Sequence, residues 1–245
     1  MSETVRDYVV VIPARLKSSR LPEKPLANIG GKTMLERTYE RALGAVEENR
    51  IYIATDSDKI ADVCRSFGAK VVMTSEDCLT GTDRIAEFAE KVSARTYINV
   101  QGDEPFMPTG NIRAIIDAAL EKPDDIINGW AWINNEADWR SPNVPKVVIR
   151  EDGRLMYMSR APIPGNKADE FHFSRRQVCV YAFPAAALAE FAARARKTEH
   201  EMVEDIEILR FVEMGYEVKM IELDPDFISV DTPEDLERVR DQLVQ

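Results

Sequence analysis

The sequence has 245 residues, 44% of them hydrophobic and 31% charged, with a formal net charge of −11 at pH 7. That is the composition of an ordinary globular chain with a sizeable core, and its acidity argues against nonspecific binding to nucleic acid or anionic membrane while leaving room for a local basic cleft. Three scattered cysteines, Cys64, Cys78 and Cys179, follow no CxxC spacing, so reduced core thiols in a cytosolic protein are expected, with neither a disulfide framework nor a zinc site.

In chain order, "YVVVIPA" reads as a strand and is followed by a basic loop. "TMLERTYERALGA" has apolar residues close to helical period, "RIYIATD" is a second strand, and "DKIADVCRSFGA" is a helix closed by Gly68. "KVVMT" is a third strand, "GTDRIAEFAEKV" a helix, and "TYINVQGDEP" a fourth strand ending in acid. Continuous Val/Ile strands separated by helices imply βαβ units and a parallel sheet covered on both faces, an open, doubly wound α/β layer.

The pattern then changes. "DIINGWAWI", "PKVVIRED", "RLMYMSRAPIP" and "RRQVCVYAFP" are strand-like, with a hairpin turn expected at "EDGR". "PAAALAEFAARA" reads as a helix from Pro184, "HEMVEDIEILRFVEMG" as one helix ending at Gly215, and "YEVKMIEL" as a strand. "DTPEDLERVRDQLV" is a terminal helix with Thr232 as N-cap and Pro233 in the first helical position. The chain is expected to form a single domain over 1–245, and the later strands either extend the sheet or form a small lobe at its edge. The stretch "MSETVRDYVVVIP" lacks a basic region before its apolar run, so no signal peptide is expected. The longest nearly apolar stretch, around Ala182–Ala193, is too short to span a bilayer.

Ligands of open parallel sheets bind where loops leave the carboxyl ends of strands. The loop Pro13–Lys24 leaves the first strand with Arg15, Lys17, Arg20 and Lys24 and a Ser18-Ser19 pair, equipment that grips a polyphosphate. The plainer alternative is a solvated basic loop. "IGGKT" is too short for a Walker sequence. Asp103 in "INVQGDEP" stands at the same sheet edge, fit to hold Mg²⁺ or to form a simple turn. Asp231 in "SVDTPEDLERV" reads as a second metal ligand or as helix-end electrostatics. "LTGTDR" offers backbone amides around Thr80–Thr82 to a base or a sugar hydroxyl, or caps a helix. His172 and His200 are spaced for neither a metal nor a triad, and read as solvated or structural.

With these motifs in order along nearly its whole length, the chain resembles the 3-deoxy-manno-octulosonate (Kdo) cytidylyltransferases. The specific matches are "IPARLKSSRLPEKPL" and "NVQGDEP", supported by "TGTDRIAE", "PKVV", "MYMSRAPIP", "IEILRFVEMGYEV" and "VDTPEDLERVR". The resemblance implies a nucleotide-diphospho-sugar transferase-like, GT-A-type Rossmann-like fold. It implies an Mg²⁺-dependent transfer of CMP from CTP to an acidic keto-sugar, made for lipopolysaccharide or capsule synthesis by a cytoplasmic homodimer. In it, Arg15 and Lys24 meet the CTP phosphates and Asp103 and Asp231 hold the metal. Pro13, Ala14, Ser19, Arg20, Thr80, Gly81, Thr82 and Arg84 approach the nucleotide. Gln101, Arg160, Gln177, Tyr181 and Glu207 line the sugar side, and a strand-rich subregion at about 128–181 supplies sugar binding and the two-fold interface.

The chain departs from the family at "RRQVCVYAF", where Gln177 replaces a sugar-contacting histidine. Kdo, an 8-amino relative and a sialic-acid-like sugar therefore all remain open as acceptors. A non-catalytic sugar-nucleotide-binding protein is the competing class, and it would bind CTP without releasing pyrophosphate.

Overall fold

Val9, Val10, Val11 and Ile12 are fully buried one after another, which a strand achieves only when both faces of its sheet are covered. In the computed structural model, which describes residues 5–17, 21–230 and 232–244, they belong to β1 (Arg6–Ala14). A short hairpin, β2 (Asn28–Ile29) and β3 (Lys32–Thr33), leads into α1 (Met34–Ala45), β4 (Ile51–Thr55), α2 (Asp58–Ser66) and β5 (Lys70–Met73). Next come α3 (Gly81–Lys91), β6 (Ala94–Val100), α4 (Thr109–Glu121), β7 (Ile126–Ile133) and α5 (Glu136–Arg140). The strands β8 (Lys146–Ile149), β9 (Leu155–Ser159) and β10 (Ser174–Pro184) follow. The chain finishes with α6 (Ala185–Ala192), α7 (Glu199–Glu204), α8 (Ile208–Glu213), β11 (Val218–Glu222) and α9 (Pro233–Val244).

The sheet order is β11-β7-β10-β6-β1-β4-β5. β1 runs parallel to β4 and β6, β4 to β5, and β11 to β7. Only β10 opposes its neighbours in this row, lying antiparallel between β6 and β7. The mixed α/β, mainly parallel sheet is the one the strand patterns predict. Its later strands extend the sheet, while the β8–β9 hairpin hangs from β10 at Arg176 and Lys146 and is bridged to β11 at Arg154 and Lys219. Gly153 takes φ +82° in the expected "EDGR" turn.

Each sheet face has its own core. Val9 and Val11 face Ile85 and Phe88 of α3, Leu188 and Phe191 of α6, and Phe211 of α8. Val10 and Ile12 face Leu35 and Tyr39 of α1, Ile60 of α2, and Ile112 and Ile116 of α4. A satellite cluster of Ile29, Met34, Val230, Leu236 and Val239 joins the β2–β3 hairpin to α9.

Three local features depart from the sequence reading. "IGGKT" is a hairpin whose Gly30 and Gly31 both take positive φ, 59° and 85°, a backbone that glycine adopts without steric cost. α4 and α5 lie where the patterns assigned no element. The single helix expected over "HEMVEDIEILRFVEMG" is two, α7 and α8, because Asp205 takes φ 51° and ends the first. Aspartate is among the few residues that tolerate this conformation, since its short side chain bonds locally. The break swings Glu207 out of helical register toward α3.

Candidate active site

β1 connects to β4 on one side, while β6 returns to its other side, so the strand order reverses beside β1. The crevice outside such a reversal is where open α/β sheets take their ligands. Here it is a cleft of about 670 Å³, walled by Pro13, Ala14 and Arg15 after β1 and by Gln101, Gly102 and Asp103 after β6.

The basic loop and the acid turn meet directly. Lys24 Nζ donates to Asp103 Oδ2 at 2.8 Å, with only 12% of the lysine side chain exposed. The turn is held from several directions. Thr38 Oγ1 donates to Gly102 O at 3.1 Å, Val230 N donates to Asp103 O at 3.1 Å, and Ser229 Oγ bonds the Glu104 carboxylate at 2.8 Å. Glu104 is itself buried. A Cβ on Gly102 would stand 3.0 Å from Pro13 O, so the turn lies on the end of β1 with no room for a side chain.

Arg15 and Lys17 line the cleft, and Lys17 also pairs at the surface with Glu76 at 3.1 Å. Ser19, Arg20 and Asp231 lie outside the described residues. The chain neighbours of Asp231 are placed: Val230 is bonded to Asp103 as above, and Thr232 lines the cleft. Thr232 is the expected cap of α9, its Oγ1 accepting from Asp235 N at 3.2 Å.

On the nucleotide side, Thr80 and Gly81 reach the cleft wall, while Thr82 is buried behind it. The backbone amides that seemed free to read a ligand are already used. Glu207 accepts from Gly81 N at 3.0 Å, from Thr82 N at 2.8 Å, and from the Thr82 hydroxyl. Burial pushes the Glu207 carboxyl above its usual range despite these donors. Arg84 lines the cleft, but its guanidinium is engaged with Asp56 at 2.8 Å and with the Thr74 hydroxyl.

The sugar-side residues Gln101, Arg160, Gln177, Tyr181 and Glu207 all line the same cleft. Arg160 donates through Nη1 to Pro142 O at 2.8 Å and through Nη2 to Asp205 O at 3.0 Å, so part of its fork holds backbone. Gln177 belongs to a relay with fixed polarity. Asn128 Nδ2 donates to Val178 O at 2.9 Å and to Val180 O at 3.0 Å, across the bulge that β10 makes opposite β7. The Asn128 oxygen must therefore accept, and it does so from Gln177 Nε2 at 3.0 Å, which also donates to the Tyr181 hydroxyl at 3.2 Å. Burial holds the Tyr181 phenol well above its ordinary value.

Two residues that the sequence reading missed support this wall. Asn128 is fully buried in a sheet strand, and Lys146 is fully buried beneath the cleft rim with its ammonium on Ser141 O and Arg160 O, at 2.7 and 2.6 Å. The signal available was a lone polar residue inside each of the apolar runs "IINGW" and "PKVVI". His172 and His200 are exposed, away from the cleft wall.

Among the described residues no three acids, cysteines or histidines gather as a metal cage. Magnesium does not need one, since it keeps waters and shares one or two carboxylates with substrate phosphates. A partly exposed Asp103 beside a cationic loop fits that mode of binding.

Sheets with this order, presenting cationic and acidic loops at the reversal point, define an α/β class built to handle nucleotide phosphates. The comparisons agree. A family model described as cytidylyltransferase matches residues 9–221. The 3-deoxy-manno-octulosonate cytidylyltransferase of Protochlamydia amoebophila is 36% identical, over 99% of this chain and 96% of its own. That of Syntrophotalea carbinolica is 40% identical, over 95% of this chain and 97% of its own. A solved CMP:2-keto-3-deoxy-manno-octonic acid synthetase, complexed with CTP, superposes with a TM-score of 0.89 at 34% identity, covering 97% of this chain and 98% of that one. The chain belongs to the 3-deoxy-manno-octulosonate cytidylyltransferase family.

Proposed function

We propose that the chain transfers CMP from CTP to the anomeric hydroxyl of a 3-deoxy-2-ulosonic acid, Kdo or a close relative, and releases pyrophosphate. The observation that carries this reading is the contact of Lys24 with Asp103 at the strand-order reversal, where charge neutralisation and in-line positioning are both available. The sugar hydroxyl forms a bond to the α-phosphorus as the bond to the β-phosphate oxygen breaks. Arg15 and Lys24 offset the charge of the triphosphate and of the departing pyrophosphate. Gln101, Arg160, Gln177, Tyr181 and Glu207 orient the acid sugar. Asp103 and Asp231 would hold Mg²⁺, which when bound supplies charge neutralisation and lowers the pKa of the attacking hydroxyl.

The proposal extends to a cytoplasmic homodimer in which the strand-rich stretch at about 128–181 contributes sugar binding and the two-fold interface. No described helix is long and apolar enough to cross a membrane. Sedimentation at micromolar concentration checks the assembly, and a monomer there would end that part of the proposal.

Asp103→Asn tests the chemistry. It should leave the thermal midpoint near that of the native protein and lower pyrophosphate release from CTP and Kdo by ~10²-fold or more. Native-like turnover in that variant would remove Asp103 from the reaction. Running the native protein with Kdo, its 8-amino relative and neuraminic acid in the same assay identifies the acceptor, which the neutral Gln177 leaves open among these acids.

A further inference from the structure

We propose that Arg210, remote from the reacting atoms, is a positioning residue that holds the nucleotide-side wall of the cleft in shape. The amides of a helix's first turn have no partner within it, and in α3 those of Gly81, Thr82 and Asp83 have each found one in a side chain. Gly81 N and Thr82 N donate to Glu207, as described above. Asp83 N donates to the Thr80 hydroxyl at 3.2 Å, and Arg84 N makes the first internal bond of the helix, to Thr80 O at 3.2 Å. This helix end is thus closed from within, and the Thr80–Gly81 wall is shaped before any ligand arrives.

Arg210 fastens that closure. Its side chain is fully buried, as is that of Glu201. Nε and Nη2 reach the two Glu201 oxygens, each at 2.6 Å, while Nη1 and Nη2 reach Asp83 at 2.8 and 3.2 Å. The guanidinium carbon also lies over the Phe191 ring, 3.7 Å from its centroid. Asp83 passes the restraint on, since the Thr80 hydroxyl donates to its Oδ2 at 2.5 Å. The same arginine belongs to α8, whose first turn is preceded by Glu207, so the side chain that clamps Asp83 and the carboxylate that closes the helix end are carried by one short helix. Any slip of the wall would carry into the reaction site, because a Cβ on Gly81 would stand 3.2 Å from the Gln101 amide and 3.5 Å from Pro13.

The test separates positioning from bulk stability. Arg210→Met alone strands two carboxylates, so the decisive variant also carries Asp83→Asn and Glu201→Gln, which removes the buried charges together. With the wall loosened, the KM for CTP should rise about tenfold, the KM for the sugar should rise by less, since Glu207 also faces that side, and Arg210→Lys should fall between. Hydrogen exchange of the Gly81 and Thr82 amides should quicken about tenfold while the amides of β1 keep their protection. The kinetic arm rests on the CTP reading; the exchange arm does not. If the folded triple variant keeps native protection at Gly81 and Thr82, the inference fails whatever the substrate. If protection is lost but the KM for CTP is unchanged in an enzyme that turns CTP over, the wall needs no such strut and the inference again fails. Should the triple variant not fold, Arg210→Lys decides on the same two readouts.

Discussion

Lys146→Met isolates the energetics of a buried charge under the sugar side of the cleft. Burial first, and then the neighbouring Arg160 charge, bring the Lys146 pKa from 10.5 down to about 8, with Glu204 pulling the other way. Between those two values the unfolded chain keeps its proton while the folded chain has lost it. Stability contributed by this group therefore rises with pH across that window and is withheld below it. At about 1.36 kcal/mol per pH unit, the gain reaches about 2 kcal/mol by about pH 9.5. In the methionine variant, Ser141 O and Arg160 O each lose a donor, costing about 1–3 kcal/mol apiece. The variant also sheds a charge-burial penalty of about 3 kcal/mol, so the two effects largely cancel at neutral pH. The clean quantity is the double difference. Urea unfolding of both proteins at about pH 7 and about pH 9.5 should show the native chain gaining about 2 kcal/mol on the variant, since effects of all other groups divide out. Parallel pH profiles would refute the reasoning and mean that the ammonium is solvated.

Two further outcomes follow from the same geometry. Gly102→Ala drives a methyl group against Pro13 O, a backbone atom, so it should cost about 1–3 kcal/mol by denaturant titration and lower kcat through a displaced Asp103. Asn128→Ala orphans Val178 O and Val180 O in a buried bulge and frees Gln177. It should cost about 2 kcal/mol or more and raise the KM of the acid sugar ahead of that of CTP; equal shifts in both constants would deny Asn128 a place on the sugar wall.

Most of the fold was legible in the sequence, because its strands are buried on both faces and read as continuous Val/Ile runs, as in Val9–Ile12. The insertion of β10 antiparallel between β6 and β7 was not, since an apolar run carries no mark of its neighbour or direction. In the cleft, Lys24 and Asp103 stood out as charges in loops that leave the carboxyl ends of strands. What stayed hidden were polar groups whose partners are far away in the chain: Glu207 with Gly81, Arg210 with Asp83, Asn128 with Val178. Local pattern cannot report such pairs. It also missed the helix break at Asp205, a single backbone conformation with no footprint in hydrophobic period.

The satellite cluster ties two distant stretches of the chain together. Ile29 and Met34, which follow the cationic loop, are covered by Val230, Leu236 and Val239. Leu236 and Val239 belong to α9, so a substitution that peels this helix away would uncover the hairpin next to that loop while leaving the two large cores of the sheet untouched.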